Sequence, residues 1–385
     1  MTSKERMLAA LDGGMPDRLP VTTHHIMPYF LERRLPGMSN QDFFDEFGLD
    51  AITWSVPHRP APGSHDYPDP LQGAPGFLES HRVANDSWRV YTEDISADNR
   101  KLTRYRFVTP AGTLSMITEE VDYTVWVIEP LIKQKRDIDM IGSYVTTPRC
   151  DVEELNRVAA AFGDRGLVRG HICCFDVFGQ PGCWQDATCL VGTERLILEA
   201  NDDPDWVHEL LRILQRRKLG FIESLAGAHY DLLELGGGDA SASVISPRFF
   251  DRFVAPYDKP LIDAAHRAGQ RIVYHLCGKI MPMVKRTLEM GPDAIETFTP
   301  AGMGGDANLA AAREVIGDRA CMIGGFDQLH FFTGCDPKAT RAEVRRCFQE
   351  AGPSGRYILC PSDHFFDADI ALLHAYADEA ANCVY

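Results

Sequence analysis

The stretch YDLLELGGGDASASVISPRFFDRFVAPYDKPLIDAAHRAGQRIVYHLCG, residues 230–278, decides the fold. Its two ends, Tyr230–Leu235 and Ile272–Leu276, are short and mostly apolar, the pattern of strands buried on both faces of a parallel sheet. Between them, Pro247–Ala268 reads as one long helix, opened by Ser246-Pro247 and stopped by Gly269. Strand, helix and strand in that order make a βαβ unit.

The same alternation runs outward in both directions. Further strands are expected at Leu19–Thr23, Ala51–Ser55, Leu167–Cys173, Asp293–Phe298, Ala320–Gly324 and Arg356–Cys360, with helices at Asn308–Ile316, Pro337–Glu350 and Asp367–Ala381. Strands alternating with helices in this number predict an α/β fold, a (β/α)8 TIM barrel, with residues 1–385 as a single domain. A doubly wound open sheet is the competing arrangement. One segment breaks the alternation. Within Ser87–Ile128 and its flanks, SWRVYTE, KLTRYRFVT, GTLSMITEE and TVWVIE alternate polar and apolar residues, and the turn Pro110-Ala111-Gly112 separates two of them. This predicts a β-meander, residues 82–129, inserted after the second strand and lying near the barrel mouth. The Pro- and Gly-rich loop Pro57–Gly76 is placed to help close the site.

Composition narrows the function. With 45% apolar and 24% charged residues the chain reads as an ordinary globular enzyme. Its net charge of −16 argues against nucleic acid and against an anionic membrane surface, both of which select basic proteins. No apolar run of about 18 residues is present, so no membrane span is expected. The N-terminal MTSKERMLAALDGG reads as an amphipathic helix without the apolar centre of a signal peptide. Eleven cysteines, an odd number at irregular spacing, make a poor disulfide framework and point to a reducing cytoplasm.

Active sites of such barrels lie at the C-terminal ends of the strands, and there the polar residues collect. The strand ends carry His24-His25, Trp54, His171 with Cys173-Cys174 and Asp176, Glu234 before Gly236–Asp239, His275 with Cys277, Glu296, Gly324-Gly325 with Asp327, and Cys360 with Ser362, Asp363 and His364. Residues at i and i+2 of a strand share a face, so His275 and Cys277 can point at one ion. With Cys360 they make a His/Cys/Cys set that suits zinc and leaves a fourth position open. A carboxylate can fill that position at rest, Glu296 first and Glu234 second. The plainer reading of such cysteines is core packing, where Cys serves as a small hydrophobe, and this is the reading adopted for Cys173-Cys174.

The resemblance of LELGGGDASAS…IVYHLCGKIMPMV, GPDAIETF, IGGFD and YILCPSDH, together with MPDRLPV near the N-terminus and EPLIKQKRDIDMI after the meander, is to the uroporphyrinogen decarboxylase superfamily. It covers nearly the whole chain and implies a (β/α)8 barrel. True decarboxylases carry Arg-Gln-Ala-Gly-Arg-Tyr after the first strand and Ser-Asp after the second. Here His24-His25-Ile26-Met27-Pro28-Tyr29 and Ser55-Val56 stand in those places, against porphyrin decarboxylation. His275, Cys277, Gly278 and Cys360 are similar to the His-x-Cys-Gly…Cys zinc signature of the cobalamin-linked methyltransferases, such as those serving coenzyme M. No Asp-x-His-x-x-Gly cobalamin motif is present, so the resemblance implies a corrinoid on a separate protein.

The expected function is therefore zinc-dependent methyl transfer between a small substrate, such as a methyl ether or a thiol acceptor, and the cobalamin of a corrinoid partner. A coordinated thiol is held as thiolate, and a methylated heteroatom is polarised, so both directions are open. His364, Asp327 and His24 are the candidate catalytic residues. Asp327 has an alternative as the cap of the following helix. The rival readings are a metal-free decarboxylase or lyase of the same superfamily, relying on Arg59, Arg82 or Arg169, and a non-enzymatic subunit that docks a corrinoid protein. The superfamily often forms dimers, so a homodimer is an open expectation.

Overall fold

The computed structural model describes residues 1–71, 83–175 and 181–385. Arg82, Asp176 and the end of the Pro57–Gly76 loop lie outside them.

In chain order, β1 (Ala51–Trp54) is followed by β2 (Arg89–Asp94), β3 (Lys101–Thr109), β4 (Gly112–Val121) and β5 (Thr124–Glu129), and then by β6 (Gly166–His171), β7 (Leu232–Gly236), β8 (Ile272–His275), β9 (Ala294–Thr297), β10 (Cys321–Gly324) and β11 (Tyr357–Ile358). The chain is an α/β protein built on one curled, all-parallel, seven-stranded sheet in the order β1-β6-β7-β8-β9-β10-β11. The strands from β6 to β11 are buried along their whole length. Their continuous apolar runs pack on both faces, which is why they read as runs rather than alternations. β2 to β5 form a separate four-stranded antiparallel sheet. There a buried row of Tyr105, Phe107, Leu114 and Met116 lies opposite a charged row that carries Arg100–Glu119 and Arg104–Glu93 ion pairs.

Leu19–Thr23 differs from expectation. Val21 makes a single parallel bridge to Leu359 and no ladder. The reason is local: the Val21 N–H donates to the Asp50 carboxylate at 2.9 Å, so a side chain takes the place of a neighbouring strand's carbonyl. The segment nevertheless sits between the two ends of the sheet, because the Leu359 N–H donates to Pro20 O and the Asp50 N–H to Val21 O, at 2.8 and 2.7 Å.

The long helix expected at Pro247–Ala268 is two helices, Pro247–Phe253 and Ala255–Arg267, meeting at Val254. Pro256 has no N–H to continue the first helix. Pro260 removes a further donor one turn on, the one that would bond the Pro256 carbonyl, and Gln215 Nε2 donates to the Pro256 and Tyr257 carbonyls at 3.4 and 2.7 Å.

Candidate functional site

Register builds the site. Arg169 and His171 on β6, Glu234 and Gly236 on β7, His275 on β8 and Glu296 on β9 share one side of the sheet, because His171 pairs with Glu234, Gly236 with His275 and His275 with Glu296. Trp54 is the partner of Arg169 on β1 and continues the row. Of the seven, all but Gly236 carry polar or aromatic side chains on that face, and Arg169, Glu234, His275 and Glu296 converge on one point.

At that point the ligand atoms of His24, Glu234, His275 and Glu296 lie within 4.8 Å of one another, all four buried. His275 Nδ1 is 3.1 Å from Glu296 Oε1 and 3.2 Å from His24 Nε2. Arg169 Nη2 donates to both Glu296 oxygens at 3.0 Å and approaches Glu234 Oε2 at 3.5 Å. The Arg169 guanidinium lies over the Trp54 ring, 4.6 Å from its centre. Trp54 stacks on His25 at 4.2 Å, and His25 and His24 stack on His364 at 4.9 and 5.2 Å. Trp54 Nε1 also donates to the His24 carbonyl at 3.1 Å. A cation, an indole and three imidazoles thus wall one side of the cluster.

Charge is distributed unevenly among these groups. Burial pushes the Glu234 carboxyl up to about 7, with the nearby Glu296 carboxylate adding to the effect against the pull of His275 and Arg169. Burial pulls the His24 imidazole down to about 3, and the charges of Arg169 and His275 add to this. Burial also acts on Glu296 and His275, but is outweighed. The Arg169 charge, with the hydrogen bond and charge of His275, holds Glu296 well below the usual carboxylate range. The Glu234 charge and hydrogen bonds with Cys277 and Glu296 hold His275 well above the usual imidazole range. His275 and Glu296 are therefore held charged against one another beside a neutral His24, while Glu234 titrates around neutral pH.

The remaining sequence candidates fall in different places. Cys277 hydrogen-bonds to His275, and its thiol is packed so closely on the β7 turn that a Cβ on Gly238 would come within 2.6 Å of it. Cys360 is buried beside Glu296, Arg169 and Asp363, and burial pushes its thiol up. Neither cysteine belongs to the four-residue group among the described residues. His364 is partly exposed and pairs through Nδ1 with Asp363 at 3.2 Å. Asp327 caps the helix Gln328–Phe331 by accepting from the His330 N–H, and it also meets the His330 ring at 2.9 Å. Arg59 is exposed on a short strand paired with Arg149. Cys173 and Cys174 are in the core, where the Cys173 carbonyl accepts from Lys218 at 2.8 Å.

The sequence offered Arg169 only as a substrate-binding cation of the rival lyase reading, whereas here it pairs with the two carboxylates of the cluster. It lies two positions before His171 on the same face, one step deeper into the sheet. A count back along the face from the strand end would have found it. The backbone just past Glu296 is also unusual: Thr297 and Phe298 have φ of 101° and 49°. For a β-branched residue this is an outlier costing roughly 1–3 kcal/mol. It is held by the Thr297 hydroxyl donating to Leu276 O at 2.9 Å and by Gly324, where a Cβ would come within 2.2 Å of the Thr297 carbonyl.

Residues 179–370 match the family model described as uroporphyrinogen decarboxylase (URO-D). No curated protein matches the chain. Among solved structures, a methyltransferase from Methanosarcina mazei is similar at 15% identity with a TM-score of 0.60, covering 99% of each chain. A B12-independent methionine synthase from Shewanella sp. W3-18-1, in complex with selenomethionine, is 10% identical with a TM-score of 0.37, covering 77% of this chain and 74% of that one. A dihydropteroate synthase from Anaplasma phagocytophilum is 16% identical with a TM-score of 0.26, covering 38% and 61%.

Proposed function

Given that this chain belongs to the uroporphyrinogen decarboxylase superfamily, we propose that it is a zinc-dependent methyltransferase, moving a methyl group between a small substrate and the cobalamin of a separate corrinoid protein. The observation that carries the reading is the buried set of imidazoles and carboxylates at the C-terminal ends of adjacent parallel strands, with a thiol hydrogen-bonded to one of the imidazoles. In this reading the curled sheet closes into a (β/α)8 barrel with Leu19–Thr23 as the eighth strand, and residues 82–129 are an insertion beside its mouth. The full-length likeness in fold to the Methanosarcina methyltransferase agrees with that closure. The setting is the cytoplasm.

The donors suit zinc, whose preferred protein ligands are imidazole, thiolate and carboxylate. His24 Nδ1 is buried without a hydrogen-bond partner among the described residues, an unspent donor or acceptor in the same cluster. His275 and Cys277 would hold the ion, with Cys360 and a carboxylate of Glu296 or Glu234 completing the set. Zinc, when bound, supplies Lewis acidity toward a thiol or a methylated heteroatom. The chain's own groups do the rest. Arg169 offsets the charge of the paired carboxylates. The stack of Trp54, His25, His24 and His364 keeps water from one side. His364, with Nδ1 engaged by Asp363, presents Nε2 to carry a proton to or from the substrate heteroatom. Asp327, spent as a cap on His330, is reserved for shaping the loop that ends in Gln328.

A metal-free lyase needs a cation free to bind a substrate carboxylate. Arg169 is already paired with two carboxylates, so the lyase ranks second. Metal analysis of the freshly purified, reduced protein tests the choice. About one zinc per chain, lost in Cys277→Ala and in Cys360→Ala, is expected, followed by a change in the methylcobalamin spectrum when thiols or methyl donors are added. Wild type that neither carries nor takes up zinc would sink the methyltransferase reading.

A further inference from the structure

The four-stranded sheet is anchored at one end only. Along β3 burial falls from Tyr105 and Phe107, both buried, to Lys101, which is exposed, and β2 is exposed over most of its length. The far end therefore projects beyond the core, and its Arg100–Glu119 and Lys101–Glu120 ion pairs stay within the sheet. There β4 and β5 are joined by the two-residue turn Asp122-Tyr123. Below the turn the ladder changes register: Ile117 pairs with Glu129 and Thr118 with Val127, so Ile128 is an extra residue in β5. Such a bulge bends its strand and re-aims what lies beyond it.

What lies beyond it is Tyr123. Its ring centre is 5.0 Å from that of Phe366 and 6.1 Å from that of Tyr29, and those two are 6.4 Å apart. Tilted and edge-on contacts at these distances are favourable for aromatic rings. Arg33 holds Tyr29 in place, lying 4.9 Å over its ring and donating to its hydroxyl at 2.8 Å. Both receiving rings stand on segments that carry the site. Tyr29 lies on the helix Pro28–Arg34, just after His24-His25, and Phe366 comes two residues after His364. The His25 and His364 rings stack on one another at 4.9 Å. Val125 and Val127 pack inward, but Tyr123 and Phe366 each remain 40% exposed. A contact so shallow can part without unfolding anything else.

We propose that the turn between β4 and β5 is a gate over the site: Tyr123 closes it against Tyr29 and Phe366, and parting of the three rings opens the way to the His25–His364 stack. The same contact ties the segment after His25 to the segment after His364, so opening also loosens the loops on which those two histidines stand. The gate depends neither on a bound metal nor on the reaction performed.

The test is chemical access in the full chain. Diethyl pyrocarbonate acylates neutral imidazoles, and peptide mass spectrometry gives the rates at His25 and His364 relative to His266, which lies on the helix Ala255–Arg267 and pairs with Asp293. Tyr123→Ala is expected to raise that ratio by about tenfold, the effect of losing one or two aromatic contacts from the closed state. Tyr123→Phe keeps the rings and is expected to match wild type. An unchanged ratio in Tyr123→Ala overturns the gate. So does Tyr123→Phe behaving like Tyr123→Ala, because the ring contacts would then not be what closes it. Should Tyr123→Ala fail to fold, Phe366→Leu removes a ring from the other side of the contact: a comparable rise supports the gate, and a wild-type ratio overturns it.

Discussion

At the residue scale, the site is governed by unequal treatment of like groups. Two glutamates lie on neighbouring inward positions, but Arg169 sits at 3.0 Å from Glu296 and 3.5 Å from Glu234, and burial pushes Glu234 up to about 7. His24 and His275 diverge in the same way, one neutral and one charged. This has a consequence for metal uptake. A metal must displace the protons held by Glu234 and by His275. Both groups are raised, so their proton-binding forms persist to neutral pH, and competition grows as pH falls through about 7. Zinc affinity is expected to fall by at least about tenfold per pH unit below 7, with protons released on binding. Calorimetric titration in two buffers of different ionisation heat checks this; binding without proton release at pH 6.5 would contradict it.

At the element scale, the strand that carries Arg169 is anchored by a buried ion pair from outside the sheet. Lys218, on the helix Pro204–Ile222, meets Asp186, on the helix Cys183–Val191, at 2.6 Å and also donates to the Cys173 carbonyl. Asp186 accepts from the Phe175 N–H at 2.8 Å, and Arg217 donates to the Cys174 carbonyl. Both charges of the pair are 1–2% exposed. Removing one partner leaves a buried charge unopposed, which costs about 3–5 kcal/mol. Lys218→Met should lose roughly that much in urea unfolding, whereas a fall under about 1 kcal/mol would mean that the pair contributes no more than an exposed one. The split of the helix predicted at Pro247–Ala268 belongs to the same scale. Apolar periodicity continues through Val254, but Pro256 and Pro260 withhold the donors a continuous helix needs.

At the scale of the whole molecule, the ends of the curled sheet are brought together by a polar knot at the N-terminus. Arg6 on the helix Ser3–Asp12 donates to Asp50 at 2.6 Å and to Asp17 at 2.7 Å. Asp50, fully buried, also receives the Val21 N–H. The Tyr376 hydroxyl donates to the Thr22 carbonyl at 3.0 Å, joining the C-terminal helix to the same segment. Asp50→Ala removes the acceptor on which Val21 and Arg6 converge, so a loss of about 3–5 kcal/mol is expected, read from the midpoint of chemical unfolding. The segment that would be released runs straight into His24. Near-UV circular dichroism of Trp54, which is bonded to His24 O, should therefore change alongside it, and an unaltered signal would separate the knot from the site.

Much of this was legible in the sequence because buried parallel strands advertise themselves. Runs such as Ile272–Leu276 and Ala320–Gly324 are apolar on both faces, and their boundaries came within a residue or two of β8 and β10. His275, Glu296 and Glu234 were legible for the same reason, as polar residues placed where a buried strand tolerates none without a purpose. What the sequence could not carry was the pairing among them. That Arg169 sits closer to Glu296 than to Glu234, at 3.0 Å against 3.5 Å, depends on sub-ångström differences across three strands. That His24 joins the cluster while Cys277 and Cys360 flank it depends on how the loops turn after Val21 and Leu359. The sequence alone determined the strand order's raw material and the kind of chemistry its ends can bear. Only the tertiary structure decided which charges neutralise one another, because electrostatic partnership in a buried site is set by distance and desolvation, and neither exists until the sheet has curled.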